Sequence, residues 1–146
     1  MAIFISKEDI FYLKKISKEE VPNEAVAILT GKTNSDLFVE DVKKAKNDSP
    51  SPNSFKIDPE FLLMELEKLE NTHLELVGFF HSHPNSKAYV SDRDRKYMNM
   101  WNDKLWLIGG MRDRDLIDLK GFKIENGEII QVKIKTKNSQ LEYDGK

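Results

Sequence analysis

The chain carries His81-Ser82-His83-Pro84 and, further on, Ser91 and Asp94, in the pattern His-x-His-x7-Ser-x-x-Asp. Two imidazoles, a hydroxyl and a carboxylate at this spacing have the chemistry of a catalytic metal site. Side chains of an extended segment alternate faces, so His81 and His83 point to the same side and can hold one ion between them. Pro84 helps, because the residue before a proline is kept extended. A catalytic zinc site commonly takes three protein ligands and leaves its fourth position to water. Asp94 is the candidate third ligand, and the leading expectation is a metallohydrolase.

The elements that must position these groups can be read on either side. Residues 74–80 form a nearly continuous apolar run, the pattern of a central strand buried on both faces, with the histidines emerging at its C-terminal end. Residues 91–101 read as a helix with Ser91 at the N-cap and Asp94 at N3. The positive end of that helix favours a carboxylate ligand or a developing oxyanion. Ser91 and Asp94 alone would make an ordinary capping box. The two roles are compatible, since a serine hydroxyl can accept from the helix backbone while donating outward, and a carboxylate has two oxygens. His73 falls at a helix end and reads as a cap or a solvent-facing residue.

With these residues in place the chain resembles the JAMM (MPN+) family of zinc metalloproteases, whose signature adds a distant glutamate to this pattern. That glutamate lies near the start of an apolar strand ending in glycine, and residues 22–31 look like that segment, with Glu24 at the matching position. The resemblance implies that His81, His83 and Asp94 bind one zinc ion, that Glu24 is the general acid/base, and that Ser91 helps stabilise the oxyanion. Members often have glycine where this chain has Ala27, a departure that touches none of the chemistry. The resemblance covers roughly residues 3–135 and is closest to single-domain prokaryotic members. It implies an α/β fold, the cytidine-deaminase-like MPN domain, with a mixed sheet flanked by helices and the metal site between a central strand end and a helix start. It also implies a ubiquitin-like or sulfur-carrier protein as partner, cleaved after a C-terminal Gly-Gly. The bond is either a lysine isopeptide or the junction to a C-terminal extension. A non-catalytic MPN-type scaffold and a DNA-repair-associated relative are the rival readings, and the signature does not specify the substrate-binding residues.

The rest of the sequence bounds these expectations. With 146 residues the chain reads as one domain over 1–136 and a polar tail over 137–146. A net charge of -2 with charges of mixed sign gives no basic footprint for nucleic acid. No segment has the length of a membrane span, and residues 1–7 are too short for a signal peptide, so the expected location is cytoplasmic with no membrane partner. The chain has no cysteine, which excludes a thiol protease and a disulfide framework.

Ser6 opens a capping-box helix through about residue 18, with Ile10, Leu13 and Ile16 or Ser17 facing inward. Strands are expected over 24–30 and 37–42. Asp58 should cap a helix with Pro59 at N1 and Phe61, Leu62, Leu66 and Leu69 on its inner side. Further strands are expected over 105–108, 116–124 and 128–135, the last two joined at Asn126-Gly127. Gly109-Gly110 reads as a strand end and a turn. Trp101 and Trp106 read as core. The loop over 43–54 reads either as an idle surface loop or as a rim of the cleft, able to pair with an extended substrate tail.

Overall fold

The computed structural model describes residues 1–137. At its centre lies β4 (Glu75–His83), which runs past the expected end of the apolar segment and takes both histidines into the strand. β2 (Val26–Thr33) flanks it antiparallel, with Val26 opposite His81, and β5 (Leu105–Arg112) flanks it parallel, with His81 opposite Ile108. β3 (Leu37–Lys44) pairs with β2, while β6 (Asp115–Glu125) and β7 (Glu128–Lys137) extend the sheet beyond β5. The sheet is mixed, as expected, and it also closes. β1 (Ala2–Ser6) lies parallel to both β3 and β7, giving a barrel in the order β1-β3-β2-β4-β5-β6-β7. Closure removes the free sheet edges that would otherwise expose unpaired backbone groups.

Both faces of the central strands are covered, so β2, β4 and β5 read as apolar runs rather than as a clean alternation. On one face α1 (Lys7–Glu20) buries Leu13 and Ile16 against Ile3, Ile5, Leu29, Phe80 and Leu107. On the other, α2 (Pro59–Leu69) and α3 (Asp92–Met100) cover Val26, Ile28, Phe79, Trp106 and Ile108. Phe61, Leu62, Leu66 and Leu69 are the α2 residues packed there, each partly buried. Ser6 caps α1 by accepting from the Asp9 N–H, as its spacing implies. No helix among the described residues is long and apolar enough to cross a membrane.

Three sequence expectations need correction. Asp58 occupies the N-cap of α2 but makes no side-chain cap; its carboxylate turns instead to Lys46 Nζ at 3.7 Å. Gly109 and Gly110 do not end a strand: they sit inside β5, opposite Ser82 and His83. The turn comes later, at Asp113 and Arg114, whose φ of 54° and 69° make the left-handed pair a tight hairpin needs. No glycine marks that turn, whereas Asn126-Gly127 has one and forms its hairpin where expected, with φ of 54° and 80°. β7 runs through Lys137, where the tail was expected to begin, and the remainder of that tail, 138–146, lies outside the described residues.

Candidate metal centre

Past the register shift where β4 meets Leu29 and Thr30, alternation sorts its side chains: Phe80 faces the α1 side, as Val77 does before the shift, while Phe79 faces α2 and α3, and His81 and His83 follow Phe79 onto that face. Asp94 meets them from the first turn of α3. Its Oδ1 lies 3.0 Å from His81 Nε2 and its Oδ2 lies 3.0 Å from His83 Nε2. The potential ligand atoms of these three buried residues all lie within 4.8 Å of one another, so the group could hold a metal ion.

The electrostatics of the three groups differ. His81 is 0% exposed, and burial holds its pKa below the ordinary value despite Asp94 beside it. Close as Asp94 is, the approach lacks hydrogen-bond geometry, and neither His81 ring nitrogen has a hydrogen-bond partner. A buried, neutral imidazole with unpartnered nitrogens costs stability unless something binds there, and it is the form a metal requires. Burial also works against a charged His83, but the Asp94 hydrogen bond and charge outweigh it and raise its pKa. Both His83 nitrogens face acceptors, Nε2 towards Asp94 Oδ2 and Nδ1 towards the Lys87 carbonyl at 3.3 Å. Burial would raise Asp94, yet the two imidazoles and the Ser91 N–H hold it well below the usual carboxylate range. Two imidazole nitrogens and a carboxylate oxygen suit zinc better than magnesium or calcium, and three donors leave a coordination position open.

Ser91 caps α3 through the full capping box: its Oγ accepts from Asp94 N at 3.0 Å, and Asp94 Oδ2 accepts from Ser91 N at 3.1 Å. Asp94 thus serves helix and cluster together. Glu24 precedes β2, which begins at Val26 rather than at 24. Its main chain is held on two sides. Glu24 N donates to Ser51 O at 2.8 Å, and Ala25 N donates to Ser82 Oγ at 2.8 Å while Ser82 N returns a bond to Ala25 O. The Glu24 side chain is buried, its Oε1 has no partner, and burial, offset in part by His83, pushes its pKa up to about 8. Glu24, His83 and Ser91 line one cleft of about 750 Å³, a volume suited to a small ligand or a chain segment. All five residues singled out in the sequence therefore converge here, while His73 is exposed to solvent.

Several supporting residues carried no sequence signal. The Phe55 ring packs on His81 at 4.9 Å between centroids and on Tyr97 at 4.6 Å, and Tyr97 Oη donates to Phe55 O at 2.7 Å. This ties the segment after β3 to the helix that carries Asp94. The loop over 43–54 does border the cleft, through Pro52 and Asn53. Trp106 is core, as expected, and its edge also faces His81 at 6.0 Å. Ser82, between the histidines, is the staple for the segment carrying Glu24.

A family model described as prokaryotic homologs of the JAB domain matches residues 13–120. A Pyrococcus furiosus protein called a desampylase is 38% identical over 96 residues, 66% of this chain and 64% of its own length. A Thermus thermophilus protein called a probable TtuB-protein conjugate cleaving protease is 38% identical over 78 residues, 53% of this chain and 50% of its own. Both matches span less than two thirds of the relative. A solution structure of a Desulfitobacterium hafniense protein superposes with a TM-score of 0.83 at 26% identity, over 97% of each chain. One from Salinibacter ruber shares the fold at a TM-score of 0.65 and 20% identity, over 92% of this chain and 90% of that one.

Proposed function

Because the chain belongs to the family of prokaryotic JAB-domain homologues, we propose that it is a zinc-dependent peptidase. It cleaves after the C-terminal Gly-Gly of a ubiquitin-like modifier joined to a lysine. The observation that carries this reading is the buried His81, His83 and Asp94 cluster with two unpartnered imidazole nitrogens, opening on a cleft that Glu24 and Ser91 also line. The names of the two curated relatives, both referring to removal of small protein modifiers, support the substrate class. The cytidine-deaminase-like MPN arrangement and a cytoplasmic location belong to the same reading.

A zinc ion held by His81, His83 and Asp94 would polarise the scissile carbonyl, bring an attacking water within reach of neutral pH and lower the Glu24 pKa towards its ionised form. Glu24 takes the proton of that water and returns it to the departing lysine amine, a two-way duty suited to a carboxyl poised near neutrality. Ser91 Oγ accepts from the Asp94 N–H, so its own proton is free to be donated to the tetrahedral oxyanion. No side chain of the site forms a covalent bond to substrate in this scheme. A Gly-Gly tail suits the approach past Pro52, Asn53 and Tyr89, since it brings no side chains into the cleft.

The test is cleavage of a ubiquitin-like protein joined through Gly-Gly to a lysine, with and without chelator, read by intact mass. Chelator-sensitive release of modifier ending in Gly-Gly is expected. Cleavage only of C-terminally extended sulfur-carrier proteins would replace the isopeptidase reading with precursor processing, and no cleavage of either would leave a scaffold.

A further inference from the structure

A row of three residues crosses the sheet beside the cluster: His83 on β4 pairs with Gly110 on β5, and Gly110 pairs with Asp118 on β6. Directly opposed residues share a face, so a side chain at 110 would stand between His83 and Asp118. The space is taken instead by the backbone of residues 87 and 88. A Cβ on Gly110 would lie 2.5 Å from Ala88 N, 2.7 Å from Lys87 C and 2.8 Å from Lys87 Cα. All three are main-chain atoms of one peptide unit, which cannot swing aside as a flexible side chain would.

That peptide unit faces both ends of the row. Its carbonyl, on Lys87, receives the His83 Nδ1 hydrogen bond at 3.3 Å, and its N–H, on Ala88, donates to Asp118 Oδ2 at 3.4 Å. Ser86 Oγ also donates to the Lys87 carbonyl at 3.4 Å, and Met111 N donates to Ser86 O at 3.0 Å, which pins the loop to β5. A carboxylate accepting from a peptide N–H polarises that peptide and makes its carbonyl a better acceptor. Metal-ligating histidines commonly donate their second N–H to a carboxylate or a carbonyl, which fixes the tautomer and aims the other nitrogen at the ion. Here the two kinds of partner are in series.

We infer that Gly110 and Asp118 are positioning residues of the metal centre. Gly110 admits the Lys87–Ala88 peptide, and Asp118 acts through that peptide to hold His83 with its proton on Nδ1 and Nε2 turned to the metal. The inference rests on the proposed function only in placing a metal at His83. It also accounts for Gly110, the second glycine of the pair inside β5, which the hairpin does not use.

The experiment is a zinc titration by competition with a chromophoric chelator, using the metal-stripped full chain and no substrate. Wild type is compared with Gly110→Ala, Asp118→Ala, Asp118→Asn and Gly121→Ala. Removing the partner of a ligating histidine typically costs about 10- to 100-fold in metal affinity, and Gly110→Ala should fall in that range. Asp118→Ala, a change at a partly exposed position of β6, should fall at its lower end, about tenfold. Asp118→Asn, whose carboxamide oxygen still accepts from Ala88 N, should recover most of the loss. Gly121→Ala is the control for strand damage: its Cβ would meet Ile3 Cδ1 at 2.5 Å on the other core face, so melting should fall while zinc affinity holds. In the zinc-loaded protein, the His83 Nδ1 proton should exchange with water faster in Asp118→Ala than in wild type, as read by NMR. Zinc affinities of Asp118→Ala and folded Gly110→Ala equal to wild type would overturn the inference, even in an active enzyme. A wild type that binds zinc and cleaves nothing would instead remove the proposed function and leave this inference standing.

Discussion

β4 presents two buried faces built from one run of residues, and they serve opposite ends. On the α1 side Val77 and Phe80 join Leu29, Leu107 and Ile16 in an apolar core, and the one polar side chain of β4 there, Ser82, is satisfied by the Ala25 N–H. On the α2 and α3 side Phe79 and Trp106 lead directly into His81, which is as deeply buried yet has no hydrogen bond to either ring nitrogen. Unpartnered buried polar groups cost about 1 to 3 kcal/mol each, a cost that a structural face avoids and a ligand-binding face recovers on binding. The first face therefore sets stability, and the second spends part of it to keep donors ready.

Substitutions on the two faces should separate accordingly. The largest effect belongs to His81→Ala, which removes a proposed ligand: stoichiometric zinc should be absent by elemental analysis and turnover should vanish with it. Retention of one zinc per chain would mean that the ion sits elsewhere. Next comes Ser91→Ala. Loss of an oxyanion donor typically costs about 2.7 to 4 kcal/mol in the transition state, so kcat should drop roughly 10²- to 10³-fold. Loss of the α3 cap should lower stability by about 1 kcal/mol in the same variant. A stability loss with an unchanged rate would make Ser91 a cap alone.

On the opposite face, Leu29→Ala should cost about 2 to 5 kcal/mol of stability in denaturant melts while zinc affinity and kcat stay at wild-type values. A parallel loss of zinc would show that the faces are not independent. A further contrast concerns Glu24 in metal-free protein. Its pKa is raised from 4.5 to about 8, so the fold favours its protonated form. The stability this provides is complete below pH 4.5 and is lost as pH rises through about 8. Glu24→Gln should flatten that decline in the chelator-treated protein, and parallel stability curves for the two proteins would contradict the burial of an ionisable carboxyl.

The same contrast explains what the sequence made legible. His81, His83, Ser91 and Asp94 declare themselves because their spacing is local: two lie two residues apart on one strand and two lie three apart at one helix start, and both periods are written in the chain. Glu24 depended on the family resemblance, since no local rule connects it to residues 57 to 70 positions away. Phe55, Tyr97, Gly110 and Asp118 reach the cluster only through cross-strand and loop packing, which single-sequence patterns do not encode. In the fold, β1 escaped notice because its four apolar residues run straight into Ser6, the cap of α1, and the Asp113-Arg114 turn because it lacks a glycine. The Gly109-Gly110 pair looked like punctuation, but its small size serves close approach, by the Leu116 side chain at Gly109 and by the loop peptide at Gly110.

The most direct test of the account is to measure zinc content and turnover on one preparation each of wild type and Glu24→Gln, with a Gly-Gly isopeptide conjugate as substrate. One zinc per chain is expected in both, with a kcat lower by roughly 10²- to 10⁴-fold in the variant, the span of general acid/base catalysis. Full zinc and equal turnover in Glu24→Gln would contradict it.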